Sequence, residues 1–162
     1  MMDIDVVGVR IELPSNQPLI LLKEHEGERH LPIWIGAPEA SAIAMSLQGI
    51  TTPRPMTHDL LAKVVEAAGQ EVTEIKIVDV RDAVFYARIV LSNGAEVDSR
   101  ASDAVALALR TGSPLRCADQ VIEEAGVLIS GDEGDGSGDQ NEEQVREFRE
   151  FLADIEPEDF DK

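Results

Sequence analysis

Three acidic residues and one histidine are the side chains of this sequence best suited to chemistry: Glu39, His58, Asp59 and Asp103. Carboxylate oxygens are ligands that Mg²⁺ and Mn²⁺ prefer, and histidine exchanges a proton near neutral pH. All four residues fall at the predicted starts of helices. They are therefore candidates for holding a divalent cation, positioning a water molecule or transferring a proton.

Two arginines, Arg54 and Arg100, come shortly before His58 and Asp103 in the chain. A guanidinium group suits the recognition of an anion such as phosphate. A purely structural interpretation stays open for each acid, because a carboxylate in the first turn of a helix interacts favourably with the helix dipole. For His58 the structural alternative is a hydrogen bond to a nearby loop.

Three strands are predicted before the first of these helices. Val7, Val9 and Ile11 alternate with polar or small residues, which is the period of a strand with one buried face. Residues 19–22 form the continuous apolar run typical of a buried strand. The third strand is expected to bury three residues on one face: Leu31, Ile33 and Ile35.

Two helices are predicted next, and they carry Glu39 and His58. The first has Pro38 in its opening turn, where the missing N–H costs no hydrogen bond. The second is expected to begin after an N-cap at Thr57. Spacings of three and four residues predict that this second helix buries Leu60, Leu61, Val64, Val65 and Ala68.

The same order of elements recurs in the second half of the chain. Strands are predicted at 72–80, 84–91 and 95–100, and Asn93-Gly94 is a strong hairpin signal. A helix with Ser102 as its N-cap follows, and then a shorter helix. Two pairs of segments align between the halves: 39–44 with 103–108, and 64–69 with 121–126.

The alignment of the halves predicts an internal duplication, with chance similarity between helical segments as the alternative. It gives Glu39 and Asp103 matching positions, so the two acids could converge on a common cleft. The predicted fold class is α+β, with one compact domain of two β-β-β-α-α repeats at residues 1–129. A flexible Gly/Asp/Ser linker is predicted at 130–141, and an acidic amphipathic helix and tail at 142–162.

The chain is strongly acidic: its 162 residues include 14 basic and 32 acidic ones, which give a net charge of −18. Such a charge repels a polyphosphate at long range, so any activity on nucleic acid would need a local basic patch or bound cations. Cys117 is the single cysteine, which excludes an internal disulfide. With no predicted signal peptide or membrane span, we expect a cytoplasmic protein with no membrane contact.

Three stretches of the sequence carry a family resemblance. They are LPIWIG at 31–36, RPMTHDLL at 54–61 and RASDAVALALR at 100–110. Together, and in this order, they resemble the bifunctional nuclease family, whose domain was formerly one of unknown function. The resemblance covers roughly residues 1–130 and continues weakly into 147–160. It implies a compact α+β domain with a duplicated pattern of strands and helices.

The resemblance also implies an activity, which is associated with plant members of the family: low-specificity hydrolysis of phosphodiester bonds in RNA and DNA. For such an activity, our hypothesis from the residue types assigns proton transfer to His58 and phosphate contacts to Arg54 and Arg100. Glu39, Asp59 and Asp103 would hold a cation (Mg²⁺ or Mn²⁺) or a water molecule. No organic cofactor is expected. The expected partners are single-stranded nucleic acid and a second copy of the chain. The alternative is a non-enzymatic module for dimeric interaction or small-ligand binding.

Overall fold

The computed structural model describes residues 1–12 and 15–129, and this part of the chain folds into eight strands and four helices. The strands are β1 (Met2–Glu12), β2 (Gln17–Glu24), β3 (Arg29–Trp34), β4 (Val72–Arg81), β5 (Val84–Leu91), β6 (Glu96–Arg100), β7 (Leu115–Cys117) and β8 (Val127–Leu128). The helices are α1 (Ala37–Leu47), α2 (Thr57–Ala67), α3 (Ala101–Thr111) and α4 (Asp119–Ala125). The predicted linker at 130–141 and the predicted helix at 142–162 lie outside the described residues.

All eight of these strands form one sheet, in the order β6-β5-β4-β7-β1-β2-β3-β8. β1, β2 and β3 form one antiparallel meander, and β4, β5 and β6 form another. The short strand β7 joins the two meanders, since it pairs parallel with β4 and antiparallel with β1. The mixture of helices with a mainly antiparallel sheet agrees with the expected α+β class.

The two halves share the order of three strands and then a helix. They differ afterwards, because β7 lies between α3 and α4, whereas in the first half a loop without a strand connects α1 to α2. The internal duplication therefore stays a prediction. Among the described residues, no helix is long and apolar enough to cross a membrane.

Helix α3 lies at the centre of the molecule. It contacts α1 and α2 as well as strands β4, β5 and β6. Its alanine-rich sequence permits this close approach, because small side chains let neighbouring backbones come near. The residues buried along it are Ala101, Ser102, Ala104, Val105, Ala106, Leu107 and Ala108. Helix α3 therefore forms a fixed support for Asp103 near its N-terminal end.

Strand β1 departs from the predicted alternation. A bulge between Val6 and Gly8 shifts its pairing with β2, and a bulge adds one residue to one strand and reverses the inward and outward sides beyond it. Ile4 and Val9 are consequently buried, while Val7 is exposed. The prediction that Val7 faces the core with Val9 is wrong for this reason.

Helix α2 is turned differently from the prediction. His58 is its buried residue, and Ala62 packs against the core on the same side of the helix. Leu60 and Val64 are 51% and 56% exposed, and Leu61 is also exposed. The prediction that these three residues and Ala68 are buried is wrong, since all four are exposed. Helix α2 lies on the outside of α3, and it turns the side that carries His58 toward α3.

The predicted N-caps also differ from the structure. Helix α2 begins at Thr57 itself, and Met56 is the N-cap residue. Helix α3 begins at Ala101 after an N-cap at Arg100, so Ser102 lies within the helix and is buried. In both helices an acid in the first turn lies near the free N–H groups, as the dipole argument expects.

Candidate active site

One cavity lies where the N-terminal ends of α1, α2 and α3 meet strands β5 and β6. Its volume is about 1010 Å³, which is at the upper end of the range for small-molecule sites. The residues that line it are Ala37, Pro38, Glu39, Ser41, Ala42, Met56, Thr57, His58, Leu61, Ile89, Val97, Asp98, Ser99, Arg100 and Asp103. Four of the six predicted site residues are among them.

A continuous chain of polar contacts connects these four residues. His58 Nε2 lies 3.0 Å from Asp103 Oδ1. Asp103 Oδ2 accepts a hydrogen bond from Arg100 Nε at 2.8 Å, and Arg100 Nη2 donates to Glu39 Oε1 at 2.9 Å. The order is thus His58, Asp103, Arg100 and Glu39, and the first and last members come from the first half of the chain. The site exists only when both halves are packed together.

The contact with Asp103 determines how His58 can act. When the ring proton is on Nε2, this nitrogen donates to the carboxylate, and the lone pair that can accept a proton is on Nδ1. The His58 side chain is only 11% exposed, so its contact with Asp103 is stronger than the same contact in water would be. Asp103 therefore holds the ring in one orientation and favours one tautomer.

Arg100 is the accessible cation of the site. Its side chain is 69% exposed, although it touches two carboxylates. The hydrogen bond to Asp103 and the charges of Asp103 and Glu39 raise the pKa of Arg100 above its ordinary value. These contacts use Nε and Nη2, so Nη1 is the nitrogen left to donate to an anionic ligand.

Glu39 is held over the residue that precedes its helix. Helix α1 begins at Ala37, with Gly36 as the N-cap and Pro38 in the first turn. A Cβ atom on Gly36 would collide with the Glu39 carboxylate. The carboxylate is the flexible end of the Glu39 side chain, and Gly36 itself does not line the cavity.

Asp59 does not line the cavity. Its Oδ1 accepts a hydrogen bond from Arg110 Nε at 2.8 Å, and its Oδ2 accepts one from the Met56 N–H at 3.1 Å. The partly buried Arg110 also donates to the Ala106 carbonyl at 2.9 Å and to the Ala42 carbonyl at 3.1 Å. Arg110 thus connects α1, α2 and α3. It was in the third motif, but nothing in the spacing showed that its partner would be Asp59.

Arg54 also lies outside the cavity lining. It belongs to the loop between α1 and α2 and is exposed, and its backbone carbonyl accepts a hydrogen bond from Thr52 Oγ1. The structure therefore brings together Glu39, His58, Arg100 and Asp103, and it leaves Arg54 and Asp59 elsewhere.

The part of the chain that forms this cavity also matches a known protein family. A model of the bifunctional nuclease domain matches residues 20–130. The chain belongs to the bifunctional nuclease domain family. The matched region of this family member contains all four residues of the contact chain and also Arg110 with its partner Asp59.

Two relatives extend the likeness beyond that domain. Each is 44% identical to this family member over 160 residues, covering 98% of this chain and 97% of the relative. Both are described as uncharacterized proteins, from two strains of Mycobacterium tuberculosis. The likeness therefore extends over nearly the whole chain and supports the family membership, while the activity has to be argued from the site.

The donor set of the site can be compared with what a divalent cation needs. The described residues contain no group of three or more His, Cys, Asp or Glu side chains that could hold a metal ion. Glu39 and Asp103 nevertheless line the same cavity. Mg²⁺ is commonly held by one or two carboxylates, with water and substrate phosphate oxygens as its other ligands. Both carboxylates accept hydrogen bonds from Arg100, so a cation held by this pair would take the place of that guanidinium.

Proposed function

We propose that this member of the bifunctional nuclease domain family hydrolyses phosphodiester bonds in RNA and DNA with low specificity. The observation that supports the proposal most is the chain of contacts from His58 through Asp103 and Arg100 to Glu39 on the wall of one cavity. It combines a group for proton transfer, a residue that orients it and an accessible cation for phosphate.

An enzyme that cleaves both RNA and DNA cannot depend on the 2′-hydroxyl group as its nucleophile, because DNA lacks it, and in our mechanism the nucleophile is water. In our mechanism His58 takes a proton from that water through Nδ1, while Asp103 holds the ring and stabilises the imidazolium that forms. Arg100 binds a non-bridging phosphate oxygen and stabilises the charge that develops there. The imidazolium then returns its proton to the leaving oxygen.

Glu39 and Asp103 would hold Mg²⁺ or Mn²⁺ in this mechanism. A bound cation would supply positive charge at the phosphate beside that of Arg100. Without it, Arg100 is engaged with the two carboxylates. In this proposal Asp59 acts through the packing of α2, because its contacts are with Arg110 and Met56.

The test is hydrolysis of labelled single-stranded RNA and DNA by the purified protein in Mg²⁺. The variants His58→Ala and Asp103→Asn are expected to lower kcat by about 10² to 10⁴, as loss of general acid–base catalysis does. Glu39→Gln is expected to lose activity together with its response to Mg²⁺, and EDTA should stop the wild-type reaction. His25→Ala is the matched control, since His25 is exposed and lies outside the cavity.

Full activity in both His58→Ala and Asp103→Asn, prepared in the same way, would show that a contaminating nuclease is responsible. Circular dichroism of each variant shows whether the fold is retained. A loss of activity without a loss of structure therefore assigns the chemistry to these side chains.

A second candidate function is a dimeric, non-enzymatic module, and the exposed apolar side of α2 favours it. Leu60 and Val64 are exposed there on one helix, and exposed apolar patches often mark sites of association. If this surface joins two copies, Leu60→Glu with Val64→Glu should convert a dimer to a monomer in sedimentation experiments. A wild-type protein that is dimeric and inactive on all nucleic acids would favour this function.

A further inference from the structure

We propose that the preferred substrates of this site are short oligonucleotides, down to dinucleotides, and that long polymers are disfavoured. This inference rests on the proposed function and assigns its substrate class. It follows from two properties of the cavity, which are the apolar side chains in its lining and the signs of its charges.

The lining of the cavity contains apolar as well as polar side chains. Met56, Leu61, Ile89 and Val97 line it together with the polar group around His58. Nucleobases bind to apolar and aromatic surfaces through their flat faces, whereas phosphates need donors. A volume of about 1010 Å³ suits a ligand of the size of one or two nucleotides. The cavity thus provides a place for a base beside a place for one phosphate.

The charges of the lining residues do not favour a polyanion. Glu39, Asp98 and Asp103 are acids, and Arg100 is the one lysine or arginine among the lining residues. Arg88 pairs with Asp98 at 2.7 Å, so it is already engaged. Proteins that bind long nucleic acids instead present several lysines and arginines to successive phosphates.

The charge of the chain as a whole adds to this repulsion, since the net charge of all 162 residues is −18. Arg100, with any cation held by Glu39 and Asp103, can balance the phosphate bound in the site, but it cannot balance phosphates that remain outside. Each additional phosphate is then repelled by the protein, and salt screens the repulsion. The screening distance falls from about 30 Å at 0.01 M salt to about 8 Å at 0.15 M.

Two consequences can be measured. The value of kcat/KM per scissile bond should be about tenfold or more higher for a dinucleotide than for a strand of about 30 nucleotides at low salt, because repulsion slows the association of like charges. Salt should raise kcat/KM for the long strand and leave the dinucleotide almost unchanged. A protein that binds nucleic acid through a basic surface shows the opposite response to salt.

The experiment uses the full chain at constant Mg²⁺ with substrates of one repeated sequence: a dinucleotide, a hexanucleotide and the long strand. Hydrolysis is measured at total ionic strengths of about 0.01 M and about 0.15 M, set with NaCl and counting the contribution of the Mg²⁺ salt. Binding of a dinucleotide with a non-hydrolysable methylene linkage at phosphorus is measured in parallel by calorimetry. The binding measurement shows which ligand the cavity accepts, and the hydrolysis measurement shows whether the site cleaves it.

Two valines provide matched variants for the cavity. Val97 lies on the edge strand β6 and lines the cavity, and Val127 lies on the opposite edge strand β8 and does not. They are 46% and 43% exposed. Val97→Glu should weaken dinucleotide binding at least about tenfold by placing a charge in the apolar wall. Val127→Glu changes the net charge equally and should leave binding as it is.

The outcomes are distinct. Faster cleavage of short substrates, with the inverted salt response, supports both proposals. Long strands cleaved at least as fast per bond, and slowed by salt, would overturn the substrate class and leave the nuclease function standing. Dinucleotide binding that Val97→Glu abolishes, without cleavage of any substrate, would support the ligand class and refute hydrolysis. Absence of both binding and cleavage would refute both.

Discussion

Arg110 allows the sharpest prediction about stability. In Arg110→Ala, the two carbonyls of Ala42 and Ala106 and the carboxylate of Asp59 lose their shared donor. A hydrogen bond to a charged group contributes about 1.5 to 3 kcal/mol. The half-buried Asp59 recovers part of this loss from water, so we expect the free energy of unfolding to fall by about 3 kcal/mol in total.

The measurement is urea unfolding followed by circular dichroism, with Arg88→Ala as the control. Arg88 also pairs with an aspartate, Asp98, but both side chains are exposed, and such a pair contributes at most about 1 kcal/mol. Arg110→Lys should not rescue the loss, because a lysine cannot reach three acceptors with a planar fork. A double-mutant cycle with Asp59→Asn measures the part of the loss that comes from the ion pair.

The proposed nuclease activity should fall together with the stability of Arg110→Ala. Asp59 follows His58 directly, so a loosened start of α2 should misplace the imidazole and lower kcat at temperatures where the variant is still folded. If Arg110→Ala is no less stable than Arg88→Ala, the guanidinium that connects the three helices adds no more stability than an exposed ion pair does. Reduced stability with unchanged kcat would instead show that Arg110 stabilises the fold without positioning His58.

Three further predictions concern other parts of the fold. Burial raises the pKa of the Cys117 thiol to about 12, so little of the reactive thiolate is present at pH 8. Iodoacetamide at this pH should modify the native protein about a thousandfold more slowly than the urea-unfolded chain. Equal rates would contradict the prediction. Asp82 and Ala83 both have positive φ in the turn between β4 and β5, a conformation that glycine adopts without backbone strain. Ala83→Gly should therefore stabilise the protein by about 0.5 kcal/mol in urea unfolding. A destabilised variant would show that Ala83 is not strained. The hydrogen bond to Asp5 raises the pKa of His25, so the stabilising effect of this pair is present at low pH and is lost as pH rises through the pKa of His25. Asp5→Asn should lower that pKa in an NMR titration, and an unchanged titration would exclude the contact.

Much of the sheet could be predicted because its signals are local. Leu31 and Ile33 are buried in β3 as their alternation predicts, and Asn93-Gly94 forms the turn of the β5–β6 hairpin, with a positive φ at Gly94. Strand β7 has only three residues, Leu115–Cys117. No periodicity can be read from so short a segment, and its position between two meanders is set by distant parts of the chain.

The side of α2 that is buried could not be predicted from hydrophobicity. Its sequence contains a strongly apolar side with Leu60 and Val64, and another side with His58 and Ala62. A buried histidine is acceptable when its polar atoms are paired, and the partner here is Asp103, which is 45 residues away in the chain. The choice between the two sides therefore depended on a contact that the local pattern does not contain.

The composition of the candidate site was predictable in part. The matching positions of Glu39 and Asp103 in the two halves suggested one cleft, and both line the same cavity. The first turn of a helix offers several acids with similar surroundings, so the sequence could not separate Asp59, which pairs with Arg110, from Asp103, which pairs with His58. The direction of each helix axis determines which partner each acid faces, and that direction is set by the packing of the core.

The origin of the site residues has a consequence for how the protein folds. Arg100 and Glu39 are 61 residues apart in the chain, and β7 pairs with β1 across more than half of the sequence. Contacts of such long sequence separation form slowly, because the entropy of closing large loops must be lost before they contribute. A meander that forms first contains only some of the residues of the candidate site. Recovery of the proposed nuclease activity during refolding should therefore report the completed native topology and lag behind the recovery of secondary structure.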